Sequence, residues 1–174
     1  EVVETKTYNA NSTLTSESSS TGVTKQYTYD SRNRLLKTTT SGSDIVTNIA
    51  QISYGYQANL TVKSGTGSST ESYTYKEVTK DTAGNTISTV YTDVLGRTVK
   101  EESGTTFTDY TYDAAGNSVV SYEGNTSNSE CMVYLTLYDE EGRSFAEVVN
   151  PQISGSSYVI GEDSIVTYTE YDTK

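Results

Sequence analysis

The sequence has no histidine and no tryptophan, and it holds one cysteine, one proline and one methionine among 174 residues. Each shortage removes a class of function. Without histidine there is no Ser–His or Cys–His nucleophile pair, no imidazole metal ligand and no ordinary general base. One cysteine, Cys131, can close no intrachain disulfide and build no thiolate metal cluster. Its neighbours in ECMVYLTLY alternate like a strand, which places it as a packed, inert thiol. Basic residues are few, 12 against 23 acidic ones, for a net charge of -11. A nucleic-acid binder needs a basic footprint, and an anionic membrane surface repels such a chain, so neither partner is expected. No apolar run nears the length that spans a bilayer, which argues against membrane insertion. The chain opens at Glu1 with no signal peptide, and it reads as a mature or excised segment.

What is present is unusual in its balance. Apolar residues make up 33% of the chain, and the mean hydropathy is -0.57, too low to fill a thick aliphatic core. Yet there are 16 tyrosines against 2 phenylalanines. Tyrosine buries a large ring and keeps a hydroxyl for a partner, so an interior built from it is thin and half wet. Disorder is the competing reading, but disordered chains are poor in aromatic and β-branched residues, and this one is rich in Tyr, Thr, Val and Ile.

One phrase recurs. It reads YTYDSRNRLLKT from Tyr27, TKDTAGNTIST from Thr79, VYTDVLGRTVKE from Val90, YTYDAAGNSVVS from Tyr110 and TLYDEEGRSFAE from Thr136. A further copy opens at Tyr171-Asp172, and a weaker one lies at YGYQANL, Tyr54 to Leu60. Intervals between copies are uneven, so the unit keeps its form while the return loops vary. Asp at the first position of a type I turn caps it with its side chain; these are Asp30, Asp81, Asp93, Asp113 and Asp139. The fourth position then needs positive φ, which glycine adopts without steric cost. Gly84, Gly96, Gly116 and Gly142 take that place, and Asn33 takes it in the first copy, as the ordinary residue that best tolerates it.

The arms around these turns alternate with period two and are rich in Thr, Tyr and Val, a β signal; no segment sustains a helical period. Hairpins are expected near 23–39, 73–92, 87–102, 106–123 and 131–149, with a last strand near 164–171. Adjacent hairpins share strands, so the fold class is all-β, an antiparallel meander of repeated hairpins forming one twisted or curled sheet. Ser- and Gly-rich stretches at Ser16–Gly22, Ser64–Ser69, Gly124–Ser129 and Gln152–Ser157 read as loops. Residues 1–22 form a strand and loop region that matches the repeat poorly, and 23–174 form the hairpin array. Its last repeat is cut at Lys174, where a frayed end or an unpaired edge strand open to self-association is expected.

These phrases resemble the YD repeat, also called the RHS repeat, whose pattern is roughly Tyr-x-Tyr-Asp-x-x-Gly-Arg/Asn-Leu. YTYDAAGNSVV matches almost fully, and YTYDSRNRLLK differs at Asn33. The resemblance covers most of 23–174. It implies a large secreted or cell-surface protein whose repeats wind into a spiral β-sheet, of which this chain would be one arc. In bacterial toxin systems such a sheet closes into a shell around a toxic domain; elsewhere the repeats are linked to carbohydrate binding and cell contact. Neither the self-cleavage region of the toxin shells nor a toxin domain has a match here.

Three site readings compete with plain architecture. The turn aspartates suit calcium by atom type, but that ion takes six to eight oxygens and each unit repeats only one carboxylate. Arg34, Arg97 and Arg143 recur at one position and suggest an anion ladder, against simple pairing with the acidic turn. Tyr29, Tyr75, Tyr112 and Tyr138 suggest a sugar-stacking face, against cross-strand packing. The expected function is therefore a non-catalytic scaffold or shell-wall segment, with no catalytic residues, metal or cofactor, whose partners are further repeats of the same polypeptide. The alternative is a module that binds glycan or another cell-surface partner through a tyrosine-rich face.

Overall fold

The computed structural model describes residues 3–42, 45–71, 74–127, 131–154 and 157–172. All its regular elements are strands. They are β1 Glu4–Tyr8, β2 Leu14–Ser19, β3 Thr24–Tyr29, β4 Leu35–Gly42, β5 Ile45–Gln57, β6 Leu60–Ser64, β7 Gly67–Glu71, β8 Thr74–Lys80 and β9 Thr86–Thr92. There follow β10 Thr98–Ser103, β11 Thr106–Tyr112, β12 Ser118–Asn125, β13 Cys131–Tyr138, β14 Ser144–Val149, β15 Gln152–Ser154, β16 Ser157–Val159 and β17 Ile165–Tyr168. Thirteen strands follow one hydrogen-bonded order, β1-β2-β3-β4-β5-β8-β9-β10-β11-β12-β13-β14-β17. This is the expected antiparallel meander. The pairs β6-β7 and β15-β16 stand outside that order as separate two-stranded sheets.

The expected hairpins fall on β3-β4, β8-β9, β9-β10, β11-β12 and β13-β14, and the last strand is β17. Four expected loops are partly strand instead. β2 runs to Ser19 inside the first, and Gly124 and Asn125 belong to β12 inside the third. Ser64–Ser69 is the turn and second arm of the β6-β7 hairpin, and Gln152–Ser157 holds the arms of β15-β16. Residues 128, 129, 155 and 156, like Tyr73 and Lys174, lie outside the described residues. The misreading has a physical source. The misread stretches are themselves rich in Ser, Thr and Gly and carry little apolar alternation, while their ladder bonds are made by backbone.

The chain divides into two compact units, Glu1–Gly55 with Glu77–Thr89, and Tyr56–Lys76 with Val90–Lys174. In the first unit Thr89 is the one buried residue among those described. Strands β1 to β4, LTSESS in β2 and TKQYTY in β3 for example, are half-buried to exposed throughout. Polar bonds join their side chains: Lys25 Nζ and the Tyr27 hydroxyl both donate to Glu17 Oε1, at 2.9 and 2.8 Å.

The second unit holds the core. Val120 and Tyr122 on β12 stand opposite Leu135 and Val133 on β13, and Leu135 stands opposite Val148 on β14. These five side chains form one buried cluster, with Tyr158 of β16 packed against it. Burying a side chain of this size is worth about 1.5–3 kcal/mol. Leu60 and Val62 of β6 form a second cluster with Val99, against Tyr91 and Tyr112. Thus the two extra hairpins supply apolar cover for the second unit. The hydroxyls of Tyr122 and Tyr158 bond to each other, and both accept from the backbone N–H of Gly65 at the β6-β7 turn.

Candidate functional site

The recurrent phrase builds one turn frame. In the first copy the Asp30 N–H donates to the Arg34 carbonyl at 2.9 Å, and the Asn33 N–H donates back to the Asp30 carbonyl at 3.0 Å. Asp30 Oδ1 accepts from the N–H groups of Arg32 and Arg34 at 2.8 and 2.9 Å, and Oδ2 accepts from Arg34 Nε at 2.7 Å. The Asp93 and Asp139 turns repeat this with Arg97 and Arg143. In the Asp81 and Asp113 turns the amides of Asn85 and Asn117 replace the guanidinium, at 2.9 and 3.0 Å. The fourth residue has positive φ in each, from 63° at Asn33 to 95° at Gly116.

Both carboxylate oxygens are thus occupied, and the electrostatics follow. Asp30 is held below the ordinary carboxylate range, first by the Arg34 backbone bond. Asp81 and Asp113 are lowered first by their Asn side chains. At Asp93 and Asp139 desolvation pushes upward, and the bonds to Arg97 and Arg143 outweigh it. Hydrogen bonds to the charged form favour it. Among the described residues no three His, Cys, Asp or Glu side chains converge as a metal site.

Two further turns use the same frame with other residues. At Asn9 the N–H donates to the Thr13 carbonyl, Oδ1 accepts from the N–H groups of Asn11 and Thr13, and Ser12 has φ 59°. At Ser19 the N–H donates to the Val23 carbonyl, Oγ accepts from the Thr21 N–H, and Gly22 has φ 84°. Asn and Ser can make the same local bond as Asp. The signal was therefore the frame of donor and acceptor side chains, not the letters Tyr-Asp.

Tyrosines tie neighbouring turns together. Tyr29, directly before Asp30, donates its hydroxyl to the Leu14 carbonyl on the adjacent β2 at 2.7 Å. Tyr112 donates to Thr98 at 2.6 Å, Tyr138 to Ser118 at 2.9 Å and Tyr171 to Ser144 at 2.7 Å. Tyr54 of β5 donates to Leu35 at 2.7 Å. Every acceptor is the fifth residue after the turn cap at Asn9, Asp30, Asp93, Asp113 or Asp139. Where that turn carries arginine, its guanidinium lies over the same ring: Arg34 on Tyr54 at 4.3 Å, Arg97 on Tyr112 at 4.5 Å and Arg143 on Tyr171 at 4.7 Å. Each arginine thus serves its own aspartate and its neighbour's tyrosine. A cation over a tyrosine face is worth about 0.5–1 kcal/mol when exposed.

A bulge makes the geometry uniform. The register shifts between Thr7 and Tyr8, Thr28 and Tyr29, Thr111 and Tyr112, and Leu137 and Tyr138. Each shift falls at the tyrosine before the turn, where a bulge re-aims a side chain.

Of the four tyrosines in the expected sugar-stacking face, Tyr29, Tyr112 and Tyr138 spend their hydroxyls on backbone carbonyls. Tyr75 instead meets Tyr56 edge to face, with centroids 5.5 Å apart. Cys131 is exposed, not packed, because its place on β13 is opposite Gly124, which offers no side chain to cover it. Sequence reasoning missed a buried charge. Asp109 of β11 is 1% exposed, with Lys100 Nζ 3.0 Å from Oδ1 and the Lys63 N–H donating to Oδ2 at 2.7 Å. Nearby, burial and then Glu102 push the Tyr91 phenol up to about 12.

Residues 8–45 match the family model RHS Repeat, a stretch that takes in the Asn9, Ser19 and Asp30 turns. Over that stretch the chain is similar to the RHS repeat, as the phrase at Tyr27 led one to expect, and the match also takes in residues 8–22, which were expected to match the repeat poorly. The crystal structure of TcdB2-TccC3-TEV is similar over 84% of this chain and 11% of that chain, at 10% sequence identity and a TM-score of 0.34. No curated protein matches.

Proposed function

We propose that this chain is a non-catalytic structural segment of a secreted or cell-surface RHS-repeat protein, working as β-sheet scaffold or shell wall. The observation that carries the reading is the tyrosine tie. The hydroxyls of Tyr29, Tyr54, Tyr112, Tyr138 and Tyr171 fasten a neighbouring strand instead of facing a ligand. Turn carboxylates and arginines neutralise one another in the same frame. The partners of such a segment are further repeats of the same polypeptide, added along its edge strands by backbone pairing. Limited proteolysis tests this: the folded chain resists cleavage at its turns, and Tyr112→Phe with Tyr138→Phe opens β10–β13 to cleavage. Unchanged resistance would sink the idea that the ties hold the scaffold.

Glycan binding stands as the second reading, because Tyr56 is 78% exposed beside Tyr75. A glycan array decides it. A reproducible sugar signal that disappears in Tyr56→Ala favours the binding module, and a blank array favours scaffold alone.

A further inference from the structure

The Asp109 site holds the parts of a self-made covalent bond. Asp109 and Lys100 are directly opposed on β11 and β10. The Lys100 side chain is 12% exposed and its ammonium lies 3.0 Å from Asp109 Oδ1. It also sits 4.7 Å from the centre of the Phe107 ring. Oδ1 receives no well-aligned hydrogen bond, whereas Oδ2 takes the Lys63 N–H at 2.7 Å. Glu102 brings Oε1 to 3.8 Å from Lys100 Nζ, while its other oxygen is held by the Tyr91 hydroxyl at 3.2 Å. A buried ion pair is weak evidence for stability, since desolvation offsets its attraction. Condensing the pair removes both charges.

We propose that Lys100 and Asp109 join as an intramolecular isopeptide bond in the folded chain. A proton passes from the ammonium to Oδ1, which turns two buried ions into a neutral amine and a carboxylic acid. The amine nitrogen attacks Cγ, and the negative charge that gathers on Oδ2 is met by the Lys63 N–H. Glu102 takes a proton from the nitrogen and returns it to Oδ1. The Cγ–Oδ1 bond breaks and one water leaves. Ammonium and carboxylate thus become amide and water, with no oxidant or reductant. The product keeps its carbonyl on the Lys63 N–H and turns its amide N–H toward Glu102, so the oxygen lacking a good partner is the one expelled.

Intact mass spectrometry of the folded chain reads the reaction directly, as a mass lower by one water. Cleavage after glutamate separates Lys100 from Asp109 at Glu101 and Glu102, so a link leaves the two fragments joined. Lys100→Arg and Asp109→Ala should show full mass and separate fragments. Glu102→Gln should slow the reaction by about a hundredfold or more, the usual worth of a positioned proton-transfer group. A folded wild-type chain at full mass overturns the proposal, as does a water loss that maps to other residues. An unchanged rate in Glu102→Gln overturns the role given to Glu102. None of these readouts depends on the scaffold reading.

Discussion

The two units of this chain use one turn grammar over different interiors. In the unit of Glu1–Gly55 with Glu77–Thr89, the described strands bury a single threonine. In the unit of Tyr56–Lys76 with Val90–Lys174, two extra hairpins bring Leu60, Val62 and Tyr158 against strands that bury Val99, Tyr122 and Val148. The capped turns and tyrosine ties are nonetheless the same in both. The lesson is that the ties set register without help from burial, while burial sets how firmly the register is held. Hydrophobic cover is the dominant favourable contribution to folding, and a bare polar sheet draws little from it.

Removing cover should have the largest effect. Tyr122→Ala, at a site 2% exposed, should cost about 3–5 kcal/mol, as large-to-small core changes do. Leu35→Ala in the half-buried β4 should cost about 1 kcal/mol or less, in line with changes away from a core. Urea unfolding of the two variants measures the gap, and equal losses would refute the contrast between the units.

Next comes the turn. Gly116→Ala at φ 95°, where an added Cβ meets no atom within 4 Å, should lose about 1–2 kcal/mol through backbone strain alone. Asn33→Gly at the matching place, φ 63°, should change stability by less than Gly116→Ala, because relief of backbone strain is offset by loss of the Thr13 hydroxyl bond to Asn33 Oδ1, and thermal unfolding of both shows whether the frame is shared. Smaller still is a single tie. Tyr112→Phe keeps the ring and drops one hydrogen bond, for about 1 kcal/mol, and Tyr29→Phe should match it if the ties are independent of burial.

Acid should act on both units alike. The folded-state pKa values of Asp30, Asp81, Asp93, Asp113 and Asp139 are depressed. Their contribution is therefore complete above the unfolded value of about 3.9 and is lost as pH falls through the lower folded values. Melting temperature against pH should fall in that window, and Asp113→Asn should flatten the fall. A profile that is level below pH 4 would show the carboxylates to be idle.

Much of the sheet was legible because its signals are local. An Asp cap and a positive-φ residue three places later act within one turn, so Asp93 and Gly96 announce their hairpin without any knowledge of neighbours. Asn9 and Ser19 were harder, since the same bonds come from other side chains. The tyrosine ties could not be read from spacing alone. Tyr112 reaches Thr98 across a strand pair, and Tyr54 reaches Leu35 from a place two residues before the weak copy's own Tyr56. Likewise, nothing local marks Lys100 and Asp109, because the burial of Asp109 depends on the distant β6-β7 hairpin, whose Lys63 N–H reaches Oδ2. The core side chains of β12 and β13 are apolar letters in plain alternation, but Tyr158, which packs against them, follows directly on a stretch rich in Ser and Gly.

The repeated tie has a consequence for how such a chain can change its length. Each tyrosine is indexed to the cap of the adjacent turn and to no distant landmark, so a placement error in one hairpin stops at its neighbour. A segment such as β15-β16 can then enter between β14 and β17 while Tyr171 still finds Ser144. Growth by whole hairpins needs no new fitting rule, only another cap and another ring.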